Sequence, residues 1–133
     1  MHDLIEDICT ANGWGFEYGR RDFDNLYDEE MSEDVRVFLD PVTIDEEINE
    51  QGVTEHQTYS GSFMMLKSSD VDEKSYEDRY QDYILDLKDT INTTLKNAII
   101  CKGMLIKSWK VQEVINVFDF NFDGLLITYS VYD

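Results

Sequence analysis

Between residues 70 and 102 the apolar side chains step by threes and fours: Tyr76, Tyr80, Tyr83, Ile84, Leu87, Ile91, Leu95, Ala98 and Ile99. That spacing gathers them on one face of a helix about nine turns long. Asp78, Gln81, Asp82, Lys88, Asp89 and Asn92 fall on the other face. Asp70 with Glu73, or Asp72, can cap the start, where acidic residues suit the helix dipole. Lys96 and Lys102 suit the far end, and Gly103 can stop it. The stretches on either side change period from 3.6 to two. A helix with one apolar face, placed between period-two segments, has to bury that face on a sheet.

The rest of the chain fills in that plan. Leu4, Ile5, Ile8 and Cys9 form a short amphipathic helix over residues 3–11, and Asn12-Gly13 stops it. Trp14, Phe16 and Tyr18 alternate as a short strand. Val35, Val37 and Leu39 start another, which Pro41 interrupts as an edge or bulge before it resumes at Val42 and Ile44. Asn49 to Gly52 is a turn. Val53 to Leu66 is a long strand with Tyr59, Gly61, Phe63 and Met65 on one side, hairpinned with the strand before it. Residues 104–132 read as β throughout, with Asp123-Gly124 as a hairpin turn signal. The 133 residues, 42% hydrophobic, suit a single domain over residues 1–133 with one core. The expected fold is α+β: a mostly antiparallel sheet of four to five strands carrying one long and one short helix, in the order α-β-β-β-α-β-β.

Charge narrows the function. Eleven Lys and Arg stand against 29 Asp and Glu, a net charge of −18. Such a surface repels nucleic acid and anionic membranes over a Debye length of roughly 10 Å. Binding to a phosphate backbone needs clustered cations, which are scarce here. Residues 20–34 alone hold seven acids, Asp22, Asp24, Asp28, Glu29, Glu30, Glu33 and Asp34, and read as a solvated or partner-facing loop. Lys102, Lys107 and Lys110 beside Trp109 form a small basic spot, read as a subunit-pairing surface. Cys9 and Cys101 lie in apolar helical contexts outside any Cys-x-x-Cys pair and read as buried free thiols. Asp3, Glu6 and Asp7 near the start, with no basic stretch, argue against a signal peptide. No apolar run approaches the roughly 20 residues of a membrane helix.

Chemical motifs are few. Asp119-Phe120-Asn121-Phe122-Asp123-Gly124 matches the first half of a calcium loop, but the twelfth position is Ser130 rather than a bidentate carboxylate. The flanks are strand-like, so a turn is the better reading. His2 and His56 have no sequence-local metal partners. With 29 carboxylates, chance pairs are certain and carry no signal. There is no glycine-rich phosphate loop, nucleophile elbow or zinc spacing. The expectation is a protein without catalytic residues, metal or cofactor. The stripe Tyr76, Tyr80, Tyr83 reads as helix edge or interface rather than a stacking site.

The element order, with 70–103 as a central helix and the strands through Val114-Ile-Asn-Val-Phe-Asp-Phe-Asn-Phe-Asp-Gly-Leu-Leu-Ile-Thr-Tyr-Ser-Val-Tyr132 as a closing hairpin, resembles the tail-terminator and tail-completion (neck) proteins of tailed bacteriophages. The likeness covers nearly the whole chain in layout. It implies a non-catalytic structural subunit, made in a host cytoplasm and built into the neck or tail of a virion. It also implies a homo-oligomeric ring that contacts other connector or tail proteins and lets DNA pass without specific binding. A negative lumen suits that passage, and open hairpin edges suit subunit contacts. On this reading the candidate interface residues are Asp28, Glu29 and Glu30 of the acidic loop and Val42, Ile44, Tyr59 and Phe63 of the long hairpin. The alternative is an acidic DNA mimic that inhibits a nucleic-acid enzyme. The clustering of its acids, rather than two evenly spaced rows, counts against it. A small enzyme or ligand-binding module is a third class, without a motif of its own.

Overall fold

A computed structural model describes residues 1–19, 35–68, 80–117 and 122–133. The first element is helix α1, His2–Asn12, which buries Ile5, Ile8 and Cys9. It ends where the spacing predicts. Gly13 takes φ 73°, a left-handed conformation that costs glycine little, and the amide of Trp14 returns to the Cys9 carbonyl at 2.9 Å. Strand β1, Gly15–Tyr18, then runs back under the helix. The His2 ring meets the rings of Phe16 and Tyr18 edge-on at 5.2 and 5.0 Å.

The fold is α+β, with one mostly antiparallel sheet and two helices on it. Its strands, after β1, are β2 (Arg36–Leu39), β3 (Thr43–Ile48), β4 (Thr54–Ser68), β5 (Leu105–Val117) and β6 (Phe122–Tyr132). They are ordered β1-β2-β4-β6-β5, with β3 also on β4. The sixth strand comes from Pro41. β2 pairs with β4 from Arg36↔Leu66 to Leu39↔Phe63, and β3 resumes on the same side of β4 at Thr43↔Ser60, one residue out of step. Proline has no amide to donate, so the ladder breaks there. Asp40 bridges the break by accepting a hydrogen bond from the Ser62 hydroxyl at 2.7 Å. β1 is the one parallel neighbour, paired with β2 through Gly15↔Arg36 to Tyr18↔Leu39.

The second helix, α2, spans residues 80–101. It comprises π-helical turns at Tyr80–Ile84 and Leu87–Ile91 and a regular α-helix over Asn92–Cys101. The sequence explains the wide turns. Leu87, Ile91, Leu95 and Ile99 recur strictly every four residues, and in a 3.6-residue helix each such step drifts by about 40°. A wider i→i+5 turn takes up that drift and keeps these side chains over the sheet. Leu87, Leu95 and Ile99 are fully buried and Ile91 packs beside them. The helix stops at Gly103, φ 89°, as expected. Polar contacts also hold it. Lys67 donates to Asp86 at 2.8 Å, Trp109 Nε1 donates to the buried Asn92 at 2.9 Å, and Lys88 donates to the Tyr80 hydroxyl and to Glu113 at 2.9 and 3.2 Å. The Tyr80 bond, then the Glu113 bond, holds the Lys88 pKa above its ordinary value.

The core lies between the helices and one face of the sheet, where Val37, Phe63, Met65, Leu125, Ile127 and Tyr129 meet Ile5, Leu87 and Leu95. The other face is rich in hydroxyls. Thr43, Ser60, Ser130 and Ser108 form one cross-strand row over β3, β4, β6 and β5.

Two expectations change. Asp123 and Gly124 are not a turn. They lie inside β6, with Gly124 opposite Leu66, and a Cβ there would sit 1.9 Å from the Met65 carbonyl oxygen. The residue is glycine because two backbones approach closely, not because the chain reverses. Cys101 is exposed, because it lies about 200° around α2 from the buried Ile99, while Cys9 is buried. Burial, then Glu6, pushes the Cys9 thiol up to about 12. The helix caps at Asp70, Asp72 and Glu73, the stripe residue Tyr76 and the loop 20–34 lie outside the described residues, and so does the connection between β5 and β6.

Replacing Leu87 by alanine is expected to lower the unfolding free energy by about 2–5 kcal/mol, read from urea denaturation, because it opens a cavity under α2. A loss within about 0.5 kcal/mol, the range of surface substitutions, would place Leu87 outside the core. Tyr129 supplies a pH test. Its hydroxyl is buried with no hydrogen-bond partner among the described residues, and burial, then Asp40 and Tyr18, pushes its pKa from 10.0 up to about 12. The folded state therefore keeps this proton to higher pH than the unfolded chain does. The resulting stabilisation is complete below pH 10 and disappears as pH rises toward about 12, at about 1.4 kcal/mol per pH unit. Tyr129→Phe is expected to be neutral or stabilising at pH 7 and to flatten that alkaline decline. Equal slopes for the two proteins would show that the hydroxyl meets water.

Candidate assembly interface

β4 is longer than its partner β6. The β6 ladder on β4 ends at Thr58↔Tyr132, and the last tie beyond it is the Gln57 amide donating to Asp133 at 3.0 Å. Residues 54–56 therefore pair with β3 alone, and the two strands project as an arm. The turn at its tip follows from Asn49, whose side-chain oxygen accepts the amides of Gln51 and Val53 at 3.0 Å, and from Gly52 at φ 79°. A two-stranded ribbon is marginal by itself in water. This one also exposes apolar side chains: Ile44 is 54% exposed, Ile48 61% and Val53 58%. Asp45, Glu46, Glu47, Glu50 and Glu55 stand among them, and none has a cationic partner among the described residues.

A contrasting surface lies across the sheet. β5 pairs with β6 on one side, and its other edge faces no strand among the described residues. Residues 90–112, which include the last turns of α2 and the first half of β5, contain four lysines and no Asp or Glu. Lys96, Lys102, Lys107 and Lys110 have no ion-pair partner among the described residues. Ile100 and Leu105, both 51% exposed, lie between them. In a chain of net charge −18 this stretch is the basic exception.

The interface residues expected from sequence separate into three groups. Ile44 is on the arm and exposed. Val42 and Tyr59 are half-buried against the core, and the Tyr59 hydroxyl donates to Gln57. Phe63 is a correction: it is 0% exposed, packed at 5.7 Å from the rings of both Trp109 and Tyr129. It lies on the helix side of β4, so its parity directs it inward, and it is a core residue rather than an interface residue. Asp28, Glu29 and Glu30 lie outside the described residues. Sequence reading noticed Lys102, Lys107 and Lys110 but not Lys96, Ile100 or Leu105. The signal available was the 23-residue gap in acidic residues.

Where the arm leaves the sheet, a shallow cleft of about 290 Å³ is lined by Glu47, His56, Thr58, Lys107 and Tyr132. Glu47 and His56 are cross-strand neighbours and both are exposed. The trough is open to solvent. Among the described residues no three His, Cys, Asp or Glu side chains converge as a metal set, and no helix is long and apolar enough to cross a membrane.

Ile48→Asp and Val53→Asp are each expected to change the unfolding free energy of the isolated chain by no more than about 0.5 kcal/mol. Phe63→Ala should cost about 3–5 kcal/mol. A large loss from either arm substitution would mean that the arm packs on its own molecule.

No protein-family model matches the chain, and no curated protein is significantly similar to it in sequence.

Proposed function

We propose that this chain is a non-catalytic structural subunit that assembles head to tail into a closed ring, the role of neck and tail-completion proteins in tailed phages. The observation that carries this reading is the pair of unlike surfaces on the two sides of one sheet, an acidic arm and an edge whose residues up to 112 bear lysines and no acids. Two unlike, mutually complementary patches favour heterologous contacts, which close into rings when the rotation fits. The contact spends the lysines on the neighbouring copy and leaves the acidic remainder of the surface outward. DNA then passes such a ring without sticking to it. In this reading the ring sits in the neck or tail of a virion and contacts other connector or tail proteins on its two rims.

The acidic decoy is the weaker reading. A DNA mimic needs an unbroken anionic face, and residues 90–112 interrupt it with four lysines.

Light scattering with negative-stain microscopy of the purified chain tests the proposal. The expected result is one discrete oligomer seen end-on as a closed ring, with no retention of duplex DNA at low salt. A monomer at every concentration, or tight salt-sensitive binding of DNA, would refute the proposal.

A further inference from the structure

Resting on that reading, we infer that neighbouring copies join by antiparallel strand addition, with the outer edge of β3 on one arm pairing with the outer edge of β5 on the next copy, two edges that meet no strand among the described residues.

Topology sets the direction. β3 is antiparallel to β4, β4 to β6 and β6 to β5, so β3 and β5 run oppositely, β5 at one edge of the sheet and β3 on the far side of β4, beside the β2–β1 pair. A second copy in the same orientation, set beside the first and slid about five residues along the strands, brings its β3 alongside β5 in antiparallel sense. That is the commoner pairing between strands. No strand has to invert, and the helices of both copies stay on the same side.

Side-chain parity agrees. Asp45 pairs with Thr58 and Lys110 with Thr128, all on the hydroxyl-bearing face. Lys107 reaches the same face, where it lines the cleft with Thr58 and Tyr132. A sheet continued from copy to copy therefore sets Asp45 and Glu47 of one beside Lys107 and Lys110 of the other. Opposite charges facing across strands stabilise the pair, and like charges oppose it.

Length and register agree as well. β5 is irregular between Ile106 and Ser108 and again between Val114 and Val117, which leaves Ser108 to Val114 as its regular stretch. With Asp45 opposite Lys110, Thr43 to Glu47 fall opposite Gln112 to Ser108 within that stretch, and Ile48 meets Lys107 at the bulge. The register that seats Asp45 opposite Lys110 also seats Ile44 opposite Val111 on the helix side and keeps Glu113 away from the arm's acids. Lysines and bulges on an edge strand ordinarily repel stray partners. Here they admit an acidic strand and reject others, which is how specificity is built by exclusion.

Cysteine cross-linking in a Cys101→Ser background tests this. Ile44 and Val111 of one copy lie three strand spacings apart, about 14 Å, so they cannot bridge within a molecule. The Ile44→Cys, Val111→Cys double variant should give a ladder of covalent oligomers under mild oxidation. Each single variant should give none, and neither should Thr43→Cys with Val111→Cys, because Thr43 is on the opposite face. A folding-independent check uses charge. Asp45→Lys with Glu47→Lys, or Lys107→Glu with Lys110→Glu, should each abolish assembly, and mixing the two proteins at low salt should restore it. If wild-type rings persist while the double-cysteine ladder is missing, or Ile44→Cys alone gives dimers, the strand pairing is wrong and the ring stands. If both reversed proteins assemble as wild type does, the strand pairing is likewise wrong. A wild-type chain that stays monomeric overturns the ring itself, and the pairing with it.

Discussion

The eleven consecutive residue pairs between β4 and β6, from Thr58↔Tyr132 to Ser68↔Phe122, are the interaction on which the rest of the fold hangs. On the helix side this ladder aligns Phe63 with Ile127, Gly61 with Tyr129 and Tyr59 with Val131, which is much of the floor on which α2 lies. It also imposes a close backbone contact at Gly124 that no residue with a Cβ fits. Slipping the ladder by one residue would turn Leu125, Ile127, Tyr129 and Val131 from the core to the hydroxyl face. The register is therefore fixed by burial as much as by hydrogen bonds.

The same ladder explains the arm. β4 has fifteen residues and β6 eleven, so one end of β4 outlasts its inner partner. The surplus is covered on a single side by β3, whose placement follows from Pro41 shifting the register without redirecting the chain. The arm is thus a consequence of unequal strand lengths in the middle of the sheet. Its Ile44, Ile48 and Val53 are exposed and its acids have no cationic partner among the described residues, which is what makes an intermolecular role physically reasonable.

The electrostatics depend on arrangement more than on total charge. A net charge of −18 describes a chain that repels its own copies. The 90–112 stretch changes this locally, because its four lysines stand on one side of the molecule, at the end of α2 and along β5. Self-repulsion elsewhere and attraction at one edge restrict how two copies can approach. Such a molecule has few relative orientations that satisfy its charges.

Much of this was legible in the sequence, and the limits are physical. Local patterns gave both helices, their stops at Gly13 and Gly103, the Asn49 turn, the break at Pro41 and the apolar face of the strand carrying Phe63. Each of these depends on residues within a turn or two of one another. The errors involve distant partners. Asp123-Gly124 has the composition of a turn, and only the approach of β4, more than fifty residues away, makes it a strand with a backbone contact. Phe63 looked available because periodicity reports which residues share a face but not which face is covered. Cys101 is helical and apolar in context, yet it is exposed because it faces away from the side of α2 that buries Ile99. The sequence by itself determined the elements, which residues share a face and the separation of acids from lysines, since these are properties of short stretches. The tertiary structure decided that β2 and β3 share one side of β4, that β1 pairs in parallel, and which edges remain open, because strand pairing is a contact between segments that no local pattern encodes.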